Sequence, residues 1–161
     1  MPIMGIPYLV EQALVSAITS DFANSMAGVS IYDSLGAELM TFPAVRVEVS
    51  KGREQPENSG NFLCEVDIKV YGGMDPANTG TYIDATSEHT ALCGNVHHWI
   101  TATIAAGGAN WLGNITDTDG NNVVKVHSVR LSDFSRDLNP SAGVFEDTFT
   151  LEIYAQEEPR T

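Results

Sequence analysis

The chain has 161 residues, 43% of them hydrophobic, which is enough for one compact domain with its own core. No apolar run approaches the ~18 residues of a membrane span. The net charge is −13, and residues 1–44 and 74–122 contain no Lys or Arg. That balance argues against a clustered-cation grip on nucleic-acid phosphates, and is compatible with solubility, with basic partners or with a surface that repels nucleic acid. The start, MPIMGIPYLV, has no basic segment and no small-residue cleavage site, so a soluble intracellular protein without a signal peptide is expected.

In chain order, Val10, Leu14, Ala17 and Ile18 fall at helical spacing, with Leu9 and Ala13 widening the stripe. This predicts an amphipathic helix over about 7–22, with Pro7 in its first turn and Glu11, Gln12, Ser16 and Thr19 outward. Val29 and Ile31 can begin a short strand, and Ser34-Leu35-Gly36 reads as a turn. Val45, Val47 and Val49 alternate with Arg46 and Glu48 after Pro43, predicting a second strand. Residues 50–61, SKGREQPENSGN, have no apolar period. They are expected to form a long polar connection that orders on assembly.

Phe62 to Tyr71 is the clearest stretch. Phe62, Cys64, Val66, Ile68 and Val70 share one parity, and Glu65, Asp67 and Lys69 share the other. Such alternation marks a strand with one buried and one wet face, its register fixed by the charges. After a turn-rich connection at 72–81, a long helix is expected from about Tyr82 to Ala106. Its stripe is Ala85, Leu92, Val96, Trp99, Ile100 and Thr103, and Gly107-Gly108 stops it. Gly94 in its middle suggests a close packing contact.

Residues 107–122 read as loop. Val123–Leu131 reads as a strand whose parity breaks, so a bulge is expected near His127-Ser128. Residues 132–143 read as a third polar connection. Phe145, Phe149, Leu151, Ile153 and Ala155 then alternate with polar residues, interrupted by Asp147, and the tail from 156 is expected to fray. The order helix, strand, strand, helix, strand, strand predicts an α+β fold. A mainly antiparallel sheet would be packed on one face by the long helix, with an N-terminal helix beside it, in a single domain over 1–161 with its core at about 7–155.

Few motifs carry chemistry. Asp117-Thr118-Asp119-Gly120-Asn121-Asn122 resembles the opening of a calcium loop, but the twelfth position is Ser128 rather than Glu, and a turn into the next strand explains the residues. Asn114-Ile115-Thr116 matches a glycosylation sequon. His89, Cys93 and His97 recur at i, i+4 and i+8 beside His98, while Glu88 lies off that line. Three ligands are too few for a structural zinc site, so no metal and no other cofactor is expected. Cys64 and Cys93 are too few for a disulfide framework and are expected to be reduced and buried. No nucleophile elbow, phosphate-binding loop or dinucleotide fingerprint is present in the sequence, so an enzyme is not expected.

The order of parts resembles the tail-terminator and tail-completion (neck) proteins of long-tailed bacteriophages. An N-terminal helix is followed by the strand of Phe42-Pro43-Ala44-Val45-Arg46-Val47, a polar loop with glycines, and the strand Phe62–Tyr71. A Gly/Pro loop with Asp75 then leads to the helix carrying Glu88-His89-Thr90-Ala91-Leu92, and a late strand pair closes the domain. The resemblance spans most of residues 7–155. It implies a structural virion protein without catalytic residues. Such a protein assembles as a ring, typically a hexamer, on the tail tube protein, meets the head-side stopper or connector, and lets DNA pass through its hole.

On that expectation, Lys51, Arg53, Glu54, Trp111 and Arg136 are interface candidates, and Trp99 belongs to the core. Glu48, Glu65, Asp67, Glu146 and Glu152 are candidates for an acidic channel lining that repels DNA, diluted by Arg46 and Lys69. A head-side stopper or other neck protein is the nearest alternative. A soluble ligand-binding or enzymatic α+β domain is the alternative of another class.

Overall fold

The alternating stretch Phe62–Tyr71 lies at the middle of the molecule. The computed structural model describes residues 5–22, 29–34, 43–54, 61–73, 82–105, 114–116, 122–139 and 144–157. They form α1 (Ile6–Phe22), β1 (Ser30–Tyr32), β2 (Ala44–Glu54), β3 (Asn61–Gly73), α2 (Tyr82–Ala105), β4 (Asn114–Thr116), β5 (Asn122–Asn139) and β6 (Val144–Glu157). The fold is α+β. One sheet runs in the order β1-β2-β3-β6-β5-β4, so β3 and β6 sit at its centre. Four of its five pairings are antiparallel, and β1 lies parallel to β2. No helix among the described residues is long and apolar enough to cross a membrane.

The parity of β3 propagates across the sheet. Val45, Val47 and Val49 lie opposite Val70, Ile68 and Val66, and those three lie opposite Asp147, Phe149 and Leu151. This face is buried. Leu9, Val10, Leu14 and Ile18 of α1 and Leu92, Cys93, Val96 and Ile100 of α2 join it in one cluster. The long helix therefore does not cover the sheet alone, because α1 contributes its own stripe to the same core. Trp99 and Thr103, expected on the buried stripe, are half-buried.

Several expectations are corrected. Val49 to Lys51 is a bulge, and past it Gly52 and Cys64, rather than another Val, face each other. The alternation that a sequence reading follows ends there, but the strand continues. Residues 50–54 of the expected loop thus belong to β2 and Asn61 to β3, and residues 55–60 lie outside the described residues. Likewise β5 runs to Asn139, through most of the expected connection at 132–143. The bulge expected near His127-Ser128 is present, and a second occurs between Leu131 and Asp133. Each inserts one residue and reverses the parity, which disguised the second half of the strand as loop. The expected loop 107–122 contains β4, and β6 extends through Gln156 into the expected frayed tail.

Glu11, placed outward by helical spacing, is buried. Its Oε2 accepts hydrogen bonds from the Ser34 hydroxyl (2.7 Å) and backbone N–H (3.3 Å), and its Oε1 from the Val49 N–H (3.0 Å). The carboxylate joins α1 to the stretch of β2 that β1, paired only as far as Arg46, leaves uncovered. Gly94 meets no close neighbour, since a Cβ built there finds no atom within 4 Å.

Candidate functional site

Asp147 interrupts the apolar parity of β6, and its side chain is fully buried on the helix side of the sheet. A lone carboxylate in that place is costly unless paired and hydrogen-bonded. The partner comes from β5. Its two bulges return Phe134 and Arg136 to the buried face, opposite Phe149 and Asp147. Arg136 then donates from Nε to both carboxylate oxygens (3.1 Å each) and from a terminal nitrogen to Oδ2 (2.8 Å).

From α2, His89 and Cys93, one helical turn apart, complete the cluster. His89 Nε2 lies 3.4 Å from Asp147 Oδ1 and 3.5 Å from Cys93 Sγ. The Nε2, Sγ and carboxylate ligand atoms all lie within 4.8 Å of one another, and all three residues are buried. His89 Nδ1 is buried without a hydrogen-bond partner. The backbone of Gly72 presses against that ring edge, where a Cβ would come within 2.6 Å of Nδ1. A side chain at residue 72 would displace the imidazole.

The electrostatics follow from burial and the one cation. Burial lowers the basicity of His89, and the Asp147 charge offsets this only in part. Burial pushes the Cys93 thiol up, reinforced by Asp147. For Asp147, burial acts upward, but the Arg136 hydrogen bonds, the Cys93 contact and the neighbouring positive charge outweigh it and hold the carboxyl below its ordinary range. At neutral pH the site contains a carboxylate held by a guanidinium, a neutral imidazole and a thiol. His89 presents a single nitrogen to both Cys93 and Asp147. A nucleophile–base–orienter relay would use the two ring nitrogens in series, so the cluster is not arranged as a catalytic triad.

Beside the cluster is a cavity of about 380 Å³, lined among others by Cys93, Gly94, Leu131, Phe134, Arg136 and Phe149. Phe134, 48% exposed, is the large apolar side chain at its mouth. His97 stacks on Phe149, with centroids 5.7 Å apart, and takes no part in the cluster. The row His89, Cys93, His97 seen in the sequence is thus replaced by His89, Cys93 and Asp147. The i, i+4 spacing signalled the first two. Asp147 gave only a parity break, and nothing in sequence linked it to α2.

The other predicted residues are distributed differently. Lys51 and Arg53 are exposed on β2 rather than in a loop. Glu54 ends that strand, and Trp111 lies outside the described residues. Arg136, expected in a loop, is held on β5 by Asp147. Asp117–Asn121 also lie outside the described residues.

The five acids expected along a channel do share the open face of the sheet, with Glu48 opposite Asp67, Glu65 opposite Glu152, and Glu146 opposite Tyr71. Cations neutralise several of them. Glu48 pairs with Arg46 (3.1 Å) and Lys69 (2.8 Å), Glu146 lies 3.7 Å from Lys69, and Glu152 pairs with Arg130. By register, Arg46, Lys51, Arg53, Lys69, Lys125 and Arg130 all belong to this face, six of the chain's eight Lys and Arg. Among the described residues this face is therefore nearly balanced, with Asp133 and Asp137 joining the five acids by register. Comparison with known protein families and with curated proteins finds no family model and no protein that matches the chain.

Proposed function

We propose that the protein is a structural subunit of a bacteriophage tail neck, a tail terminator that closes into a ring through its sheet edges. The observation that carries this reading is the pair of open edges. Among the described residues, β1 covers only Ala44–Arg46 of β2, and β4 covers only the start of β5. Glu11 occupies the Val49 N–H, which leaves Lys51–Glu54 on one side of the sheet and most of β5 on the other. Open strand edges are templates for pairing with another chain. Two different edges on opposite sides give a heterologous contact, which generates a ring when its rotation closes. The edges are also complementary in charge. Lys51 is exposed on β2, and Asp133 and Asp137 are exposed on β5, all on the same face of the sheet.

In this reading the open face lines the channel, the ring, a hexamer, sits on the tail tube protein below the head-side stopper, and DNA passes without being held. The protein is then a virion component. Electron-microscopy averages of the purified chain should show rings. Lys51→Glu and Asp133→Lys should each shift the population to monomers, and the combined variant, which exchanges one charge on each edge, should restore rings. Particles that stay monomeric at high concentration and with tail tube protein present would defeat the proposal. A soluble ligand-binding domain is the second reading, favoured by the cavity beside Phe134.

A further inference from the structure

We propose that His89, Cys93 and Asp147 form a binding site for a zinc-class divalent cation, which would fasten α2 to β6. The inference stands on convergence and does not depend on ring assembly. Three different ligand types from two elements place one atom each within 4.8 Å of the others. Zinc bonds of about 2.0–2.3 Å in a tetrahedral arrangement put neighbouring ligand atoms roughly 3.3–3.6 Å apart. The His89–Asp147 and His89–Cys93 separations are 3.4 Å and 3.5 Å. An imidazole nitrogen, a thiolate sulfur and a carboxylate oxygen together suit zinc or cobalt better than magnesium or calcium, which take oxygen shells.

The surroundings fit a ligand set. Oδ1 of Asp147 faces His89, while Arg136 places its closest hydrogen bond, 2.8 Å, on Oδ2. Arg136 also donates from Nε to Oδ1 (3.1 Å); when Oδ1 ligates, that bond gives way to the cation and the two bonds to Oδ2 (3.1 Å and 2.8 Å) keep Arg136 as an outer partner, the support that ligating carboxylates ordinarily have. His89 Nδ1, buried and unpartnered, takes the ring proton when Nε2 ligates. Binding removes the Cys93 thiol proton to solvent, one proton per cation, and the cation's charge stabilises the thiolate formed. A fourth ligand, water or a group from outside, would enter from the cavity, whose wall Cys93 shares.

The test is titration of the chelator-stripped full chain with Co2+, then competition with Zn2+. One equivalent of Co2+ should give visible bands and a near-ultraviolet thiolate-to-cobalt band, both removed by Zn2+. Cys93→Ser should remove the near-ultraviolet band, His89→Gln should weaken binding at least tenfold, and His97→Gln should bind as the parent does. No thiolate band at millimolar Co2+, or loss of binding in His97→Gln, overturns the proposal. Because substitution of a buried residue can impair folding, the parent chain supplies a second readout. Zn2+ should raise its thermal midpoint by several degrees where Mg2+ does not, and equal midpoints with both ions overturn the site as well.

Discussion

Cys64 and Cys93 are both free and buried, yet their surroundings differ. Cys93 meets His89 and Asp147, whereas burial alone pushes the Cys64 thiol up, to about 11. In the unfolded chain a thiol titrates at about 8.5. Above that value the unfolded state gives up the proton that the folded state keeps, so the stabilisation is complete below about 8.5 and is lost as pH rises toward 11. The amount at stake is about 3 kcal/mol. Denaturant midpoints measured with chelator at several pH values should fall between pH 8.5 and 11, and Cys64→Ala should have a shallower fall over that range. An unchanged slope in the variant would mean that Cys64 does not carry the effect. Burial of both thiols was legible from the parity of β3 and the stripe of α2. The burial of Glu11 and Asp147 was not. Their partners lie on other elements, Val49 being 38 residues from Glu11 and Arg136 lying on β5 beside Asp147, and periodicity sees only the residue's own element. A charge on a buried parity, as at Asp147, therefore signals a partner on another element.

At the scale of the element, α2 carries one avoidable cost. Gly94 lies in the interior of a 24-residue helix, where glycine costs about 1 kcal/mol against alanine. No close contact requires it, because a Cβ would meet no atom within 4 Å. Gly94→Ala should therefore stabilise the chain by about 1 kcal/mol, read as a higher denaturant midpoint at unchanged slope. A destabilised variant would mean that something approaches the helix there, and the cavity wall that Gly94 shares is the place. The extents of α1, β3 and α2 were legible because each keeps one uninterrupted period. Those of β2 and β5 were not. A bulge flips every later side chain to the opposite face, so a strand with two bulges, such as β5, loses the alternation by which it is recognised. Of the 3-residue strands, β1 was signalled by Val29 and Ile31, whereas β4 is too short for any period to show.

At the scale of the molecule, the described part of the sheet holds nearly balanced charge on its open face. A net −13 suggested an acidic sheet face, but the strand register puts six of the eight cations on it, among Glu48, Glu65, Asp67, Asp133, Asp137, Glu146 and Glu152. Sequence showed where the cations lie along the chain, in the strand-rich parts, but the count on one face needs the pairing of distant strands. Such a face, almost balanced, neither concentrates cations against phosphate nor repels it strongly. In a ring that passes DNA, weak interaction serves transit as well as repulsion does, since retention grows with the number of phosphates neutralised. The balance rests on specific pairs, with Lys69 and Arg46 held by Glu48 and Arg130 by Glu152. The parent protein should not retain duplex DNA at about 150 mM salt, where charges are screened beyond ~8 Å. Neutralising Glu48→Gln, Asp67→Asn and Glu152→Gln together leaves the six cations in excess, and that variant should bind DNA in low salt with an affinity falling steeply as salt rises. Salt-dependent DNA binding by the parent as strong as the variant's would show that its acids do not offset its cations.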